Sequence, residues 1–184
     1  FGSALWVMDA NAGTVMGLTP QSTYPHATIS GLTVADDLLY FRLVAESSRL
    51  CRSDGTPAGT RCIYGGVSEM GPTIGRRLFF VADDFLNQEP WVAVDGESVQ
   101  RLRDIAPGDF VSSHPSALTV FDGALFFFAD DGGLGYDLWR SDGTPFGTRP
   151  VADIDVRIVP SFFATPATIA LRRQLYFFAS DATH

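Results

Sequence analysis

Residues 115–154 read PSALTVFDGALFFFADDGGLGYDLWRSDGTPFGTRPVADI. Ser116 to Phe121 has the β-branched and aromatic content of a strand. Asp122-Gly123 follows as a two-residue hairpin turn, whose type I′ geometry needs positive φ at both residues. Ala124 to Ala129 is a second strand, ending in the loop from Asp130 to Gly135. Tyr136 to Arg140 is a third. The turn Ser141-Asp142-Gly143-Thr144-Pro145-Phe146-Gly147-Thr148 leads into a fourth, Arg149 to Ile154. Four antiparallel strands in about 46 residues is the size of one propeller blade.

The same markers recur along the chain. Leu-aromatic-aromatic runs begin at Leu39, Leu78, Leu125 and Leu175. Leu50-Cys51, Pro90-Trp91 and Leu138-Trp139 follow the first three, and Leu5-Trp6 is a fourth copy near the N-terminus. A Pro enters a strand at Pro25, Pro72, Pro115 and Pro166. Three markers in one cyclic order indicate an internal repeat. The expected architecture is a single all-β propeller domain over residues 1–184, in four four-stranded repeats. Its blades span approximately 25–70, 71–113, 114–164, and 165–184 together with 1–24.

The ends are in phase. Residues 165–184 supply the first two strands of a unit, and residues 1–24 supply the last two. The expected outcome is a closed four-bladed ring whose last blade is shared by the termini, which removes exposed sheet edges. A slice of a larger propeller, or two chains exchanging half-blades, would show the same phase. The chain opens at Phe1 with no initiator Met and no signal-peptide pattern, as in a mature product or part of something longer.

Composition agrees with an all-β reading. Apolar residues are 46% and charged residues 18%, with 18 Gly and 11 Pro, unlike a disordered tail or a coiled coil. Asp outnumbers Glu 17 to 4, which favours turns over helix interiors. The net charge is −8, and all 13 basic residues are Arg without a basic cluster. No nucleic-acid partner is expected from such a chain. No apolar run is long enough to span a bilayer as a helix.

Asp137-Leu138-Trp139-Arg140-Ser141-Asp142-Gly143-Thr144, with Gly147-Thr148 and Asp153-Ile154 behind it, resembles the ELWxxDGT-repeat family. Leu50-Cys51-Arg52-Ser53-Asp54-Gly55-Thr56 with Gly59-Thr60 is a second copy that departs at Cys51. Pro90-Trp91 with Asp95-Gly96 is degenerate, and Leu5-Trp6 with Asp9 and Gly13-Thr14 is the fourth. The resemblance implies a propeller-like fold in a secreted or surface-associated bacterial protein, and brings no general catalytic residues. Asp54, Gly55, Thr56 and Asp142, Gly143, Thr144 read as structural turns, in which the side chains close an Asx-type turn and Gly takes positive φ. The preceding Trp is expected between sheets.

Cys51 and Cys62 flank one such turn symmetrically and are expected to form a disulfide; two buried thiols are the alternative. Acids recur in the loop after the second strand: Glu46, Asp83-Asp84, Asp130-Asp131 and Asp181. Turn chemistry accounts for them, and no metal or other cofactor is expected; if a cation binds, Asp130 and Asp131 are its candidates. His26, His114 and His184 sit in no nucleophile or zinc-binding arrangement. Tyr24, Phe85, Phe110, Tyr136, Phe146, Phe162 and Phe163 lie in loops or at strand edges, as binding candidates or as covers of the gaps between blades.

The expected function is a non-catalytic extracellular or cell-surface module, with a periplasmic setting the alternative, that binds a protein or glycan through its loops. A structural subunit of a homo-oligomer or larger assembly, and a propeller glycosidase or lyase, are the alternatives.

Overall fold

A computed structural model describes residues 3–19, 26–84, 87–133, 136–151 and 168–177. Among them there is no helix, and the chain is all-β in several sheets. Three sheets are four-stranded antiparallel meanders. Sheet one holds β3 (Thr28–Ala35), β4 (Leu38–Val44), β5 (Ser48–Ser53) and β6 (Arg61–Gly65). Sheet two holds β7 (Val67–Ile74), β8 (Arg77–Asp83), β9 (Gln88–Val94) and β10 (Ser98–Arg101). Sheet three holds β11 (Ser116–Phe121), β12 (Ala124–Asp130), β13 (Tyr136–Ser141) and β14 (Arg149–Pro150). Two hairpins flank them, β1 (Trp6–Asp9) with β2 (Thr14–Gly17), and β15 (Thr168–Leu171) with β16 (Gln174–Phe177).

Tight turns set the register. Asp122 and Gly123 both have positive φ, 47° and 72°, as a type I′ hairpin requires. The first strand of each full sheet carries a register shift, between Ser30 and Thr33, Met70 and Thr73, and Ser116 and Thr119. A bulge at the same place in three successive sheets bends the first strand of each alike. These strands also touch in sequence, β3 with β7, β7 with β11 and β11 with β15.

The sheets stack face to face because the second strand of each is apolar on both sides. Tyr40 and Leu50 of sheet one meet Leu78 and Phe80 of sheet two. Phe79 and Val92 of sheet two meet Leu125, Phe127 and Trp139 of sheet three. Leu5, Val7 and Leu18 of the N-terminal hairpin cover Phe41, Leu43 and Cys51. Leu175 and Phe177 of the C-terminal hairpin cover Phe126, Phe128 and Leu138. Period-two alternation thus commits neighbouring residues of one strand to two different interfaces.

The end hairpins differ from the expected arrangement. They form separate two-stranded sheets, and among the described residues β16 and β1 are not ladder neighbours. Among the described residues the four-stranded sheet that would join the termini is therefore not assembled. Trp6 shows the consequence: Trp139 is buried between sheets two and three, whereas Trp6 is 61% exposed because no sheet lies over it. Pro25, Pro166 and the linker after Val151 lie outside the described residues.

Candidate functional site

The two Ser-Asp-Gly-Thr turns have almost the same geometry. Asp54 Oδ1 accepts from the Thr56 amide at 2.9 Å and the Thr56 hydroxyl at 2.7 Å; Asp142 and Thr144 repeat both distances. Ser53 Oγ accepts from the Gly55 amide, and Ser141 Oγ from the Gly143 amide. Gly55 and Gly143 have φ of 88° and 91°, in the left-handed region. A Cβ on Gly59 or Gly147 would collide with the Asp carboxylate of its own turn. These hydrogen bonds hold both Asp carboxyls below the usual value of 3.8. The turn groups are thus consumed by one another.

Cys51 and Cys62 are disulfide-bonded and directly opposed across β5 and β6. The bond occupies the place where the other copies carry Trp, and Cys51 is fully buried against the N-terminal hairpin.

The aromatic candidates are not gathered into one site. Tyr24, Phe85, Phe162 and Phe163 lie outside the described residues. Phe146 projects from the Ser141–Thr148 turn and is 98% exposed. Tyr136 begins β13 at the opposite end, is half-buried, and pairs with Asp130. Burial pushes its phenol up, and the Asp130 charge adds to the effect. Phe110 is exposed in the linker after β10, at the Tyr136 end, because Ser113 of that linker bonds to Gln88 and Asp130.

The loop acids are largely tied up locally. Asp130 Oδ1 accepts from the Gly132 amide at 2.8 Å and Asp131 Oδ1 from the Gly133 amide at 3.1 Å. Asp84 pairs with Arg101 at 3.1 Å, and Arg101 also lies 3.5 Å from Asp104. Among the described residues, no three His, Cys, Asp or Glu side chains are grouped as a metal would require.

Among the described residues, a concavity lies on the seam between sheets one and two. It is a half-open groove of about 560 Å³ lined by Ser47, Arg49, Cys62, Tyr64, Gly65, Gly66 and Asp83. Gly66 builds it, since its N–H donates to the Ser48 carbonyl at 2.8 Å and its carbonyl accepts from the Asp83 amide at 2.9 Å. Its φ of 73° and the close approach of the Asp83 carbonyl leave no room for a Cβ. Tyr64 is braced by Trp91, with ring centroids 4.7 Å apart, and by the edge of Phe80 at 5.9 Å. Burial raises its phenol pKa, Asp84 raises it further, and Arg101 opposes. Arg49 Nε donates to Ser47 Oγ at 3.4 Å. The groove therefore offers an aromatic side chain, a carboxylate, a guanidinium and a hydroxyl.

Of these residues Cys62, as a disulfide partner, and Asp83, as a loop acid, stand out in the sequence. Tyr64 and Arg49 become site residues through a seam that joins strands of different sheets. Gly65-Gly66 is the local signal that could have pointed there, because adjacent glycines mark a close backbone approach.

No family model matches the chain, and no curated protein matches it.

Proposed function

We propose that the protein is a non-catalytic glycan-binding module, and that its stacked sheets are blades of a propeller of the ELWxxDGT-repeat kind. The observation that carries the binding claim is the groove at Tyr64. A braced aromatic side chain, with a carboxylate and a guanidinium lining the same groove, is a combination that suits a sugar ring, which has an apolar face to stack and hydroxyls to pair. The half-open shape suits a chain passing through better than an engulfed small molecule. The Cys51–Cys62 bond supports an extracellular or surface setting, since disulfides persist in oxidising compartments. No described helix is long and apolar enough to cross a membrane. For the enzymatic alternative two facing carboxylates are needed, and among its lining residues the groove holds one, Asp83.

A glycan array on the isolated protein, followed by calorimetric titration of the best binder, tests this. Tyr64→Ala is expected to weaken binding at least about tenfold, while Phe146→Ala at the opposite end leaves it unchanged. An array without binders, or a Tyr64→Ala protein that binds like the parent, overturns the reading.

A further inference from the structure

The seams on the two sides of sheet two are pinned in the same way. In the first, the Gly66 N–H donates to the Ser48 carbonyl at 2.8 Å, and the Gly66 carbonyl accepts from the Asp83 amide at 2.9 Å. In the second, the Ser113 N–H donates to the Gln88 carbonyl at 3.1 Å, and the Ser113 carbonyl accepts from the Asp130 amide at 2.8 Å. Gly66 and Ser113 are therefore equivalent, as are Ser48 and Gln88, and Asp83 and Asp130. The residue after Ser48 is Arg49, and the residue after Gln88 is Glu89. The strand ladders agree, since Arg49 pairs with Leu43, Glu89 with Ala82 and Asp137 with Ala129, at matching places along β4, β8 and β12. One position thus carries an acid in sheets two and three and an arginine in sheet one.

The connections differ with it. Between β10 and β11 the chain runs through residues 102–115, and this linker is held by Glu89. The buried carboxylate accepts from the Ile105 amide at 3.2 Å, the Ala106 amide at 3.3 Å and the Ser113 hydroxyl at 2.7 Å. Between β6 and β7 the connection is Gly66 alone. Gly66 has no hydroxyl to match Ser113, and no chain stands there to match Ile105 and Ala106. The groove lined by Arg49, Tyr64 and Gly66 lies at this place in the first seam. Asp83 and Asp130 keep an acid at the same point of both seams, so the change of sign rests on Arg49 against Glu89.

We infer that the ligand of the Tyr64 groove is an acidic glycan, and that Arg49 receives its anionic substituent, a carboxylate or a sulfate. The second seam shows what this position does: Glu89 selects groups that donate hydrogen bonds. A guanidinium at the same register selects groups that accept them. Its planar fork of donors matches two oxygens of a carboxylate or sulfate. Arg49 is half-buried, where salt screens a charge less than at an open surface. Its Nε donates to Ser47 Oγ at 3.4 Å, and it pairs with Gly65 across β5 and β6, which sets the side chain beside the seam. Tyr64 supplies the ring to stack on, and Asp83 accepts from sugar hydroxyls. The inference rests on the glycan reading of this groove and adds the charge of the ligand and the residue that selects it.

A glycan array holding neutral, uronate-containing, sialylated and sulfated members tests this on the unaltered chain. The expected binders are acidic. Calorimetric titration then compares the best binder with its methyl-esterified or desulfated form, which tells a carboxylate from a sulfate. Neutralising the group should weaken binding at least about tenfold, and added salt should shrink that difference. Arg49→Gln should abolish the preference and leave affinity for the neutralised form as in the parent, whereas Tyr64→Ala should weaken both forms. Neutral members that bind as tightly as acidic ones, or a neutralised form that binds like the acid, overturn the inference and leave the glycan reading standing. An array without binders overturns both. The comparison of acid with neutralised form needs no substitution, so it decides the matter whether or not Arg49→Gln folds.

Discussion

Ser141 is fully buried although it belongs to a turn. Its hydroxyl accepts from the Gly143 amide at 3.0 Å and bonds the Thr148 hydroxyl at 2.7 Å, so it ties both ends of the turn together. Ser141→Ala leaves those groups short of a partner and should cost about 1–3 kcal/mol in urea unfolding. Glu89 is the other decisive residue at this scale. It is fully buried, and its carboxylate accepts from the amides of Ile105 and Ala106 and from Ser113 Oγ at 2.7 Å. Burial pushes its carboxyl above the usual 4.5, while those hydrogen bonds pull the other way. The folded state therefore holds a proton at pH values where the unfolded chain has released it. Stability is lost as pH rises from the ordinary Glu value through the raised one. Relative to Glu89→Gln, which cannot ionise, the parent should lose stability across that window; equal pH profiles would contradict this. The Ser-Asp-Gly-Thr turns were legible in the sequence because their partners are two to seven residues apart. Glu89 was not, because its partners lie 16, 17 and 24 residues away.

At the scale of elements, the hairpin β5–β6 depends on its disulfide. Cys51 is buried against Phe41 and Leu43 and replaces a Trp, so the bond and the packing act at one place. The double variant Cys51→Ala, Cys62→Ala should lose about 2–3 kcal/mol, as expected for a loop of this length. Hydrogen exchange should rise first in β5 and β6, where the constraint is local. The opposition of the two cysteines follows from the symmetry of the turn between them. The bulges in β3, β7 and β11 were not legible, because a strand bends to meet its neighbour and that neighbour belongs to another sheet.

At the scale of the molecule, the seams decide stability and shape. Arg52 and Arg61 of sheet one both reach Glu97 of sheet two, and Arg77 of sheet two donates to the Asp142 carbonyl of sheet three at 3.1 Å. Arg103 lies 5.8 Å from the Trp139 ring and donates to the Thr148 carbonyl. Gly66 is the tightest point of the first seam. Gly66→Ala should cost about 2–4 kcal/mol, because a left-handed φ and a backbone collision act together. A melting temperature equal to that of the parent would show that the seam can open without penalty.

The sequence by itself determined the repeat, the order of strands, the turn chemistry and the place of the disulfide, since each rests on residues close in the chain. Tertiary structure alone decided which face each hairpin turns outward, how Tyr64 comes to line a groove with Arg49 and Asp83, and that among the described residues β1 and β16 are not paired with each other. The physical reason is that a repeat gives every sheet nearly the same two apolar faces. What covers each face depends on the neighbour that arrives, and Trp6 and Trp139 carry the same side chain to opposite outcomes.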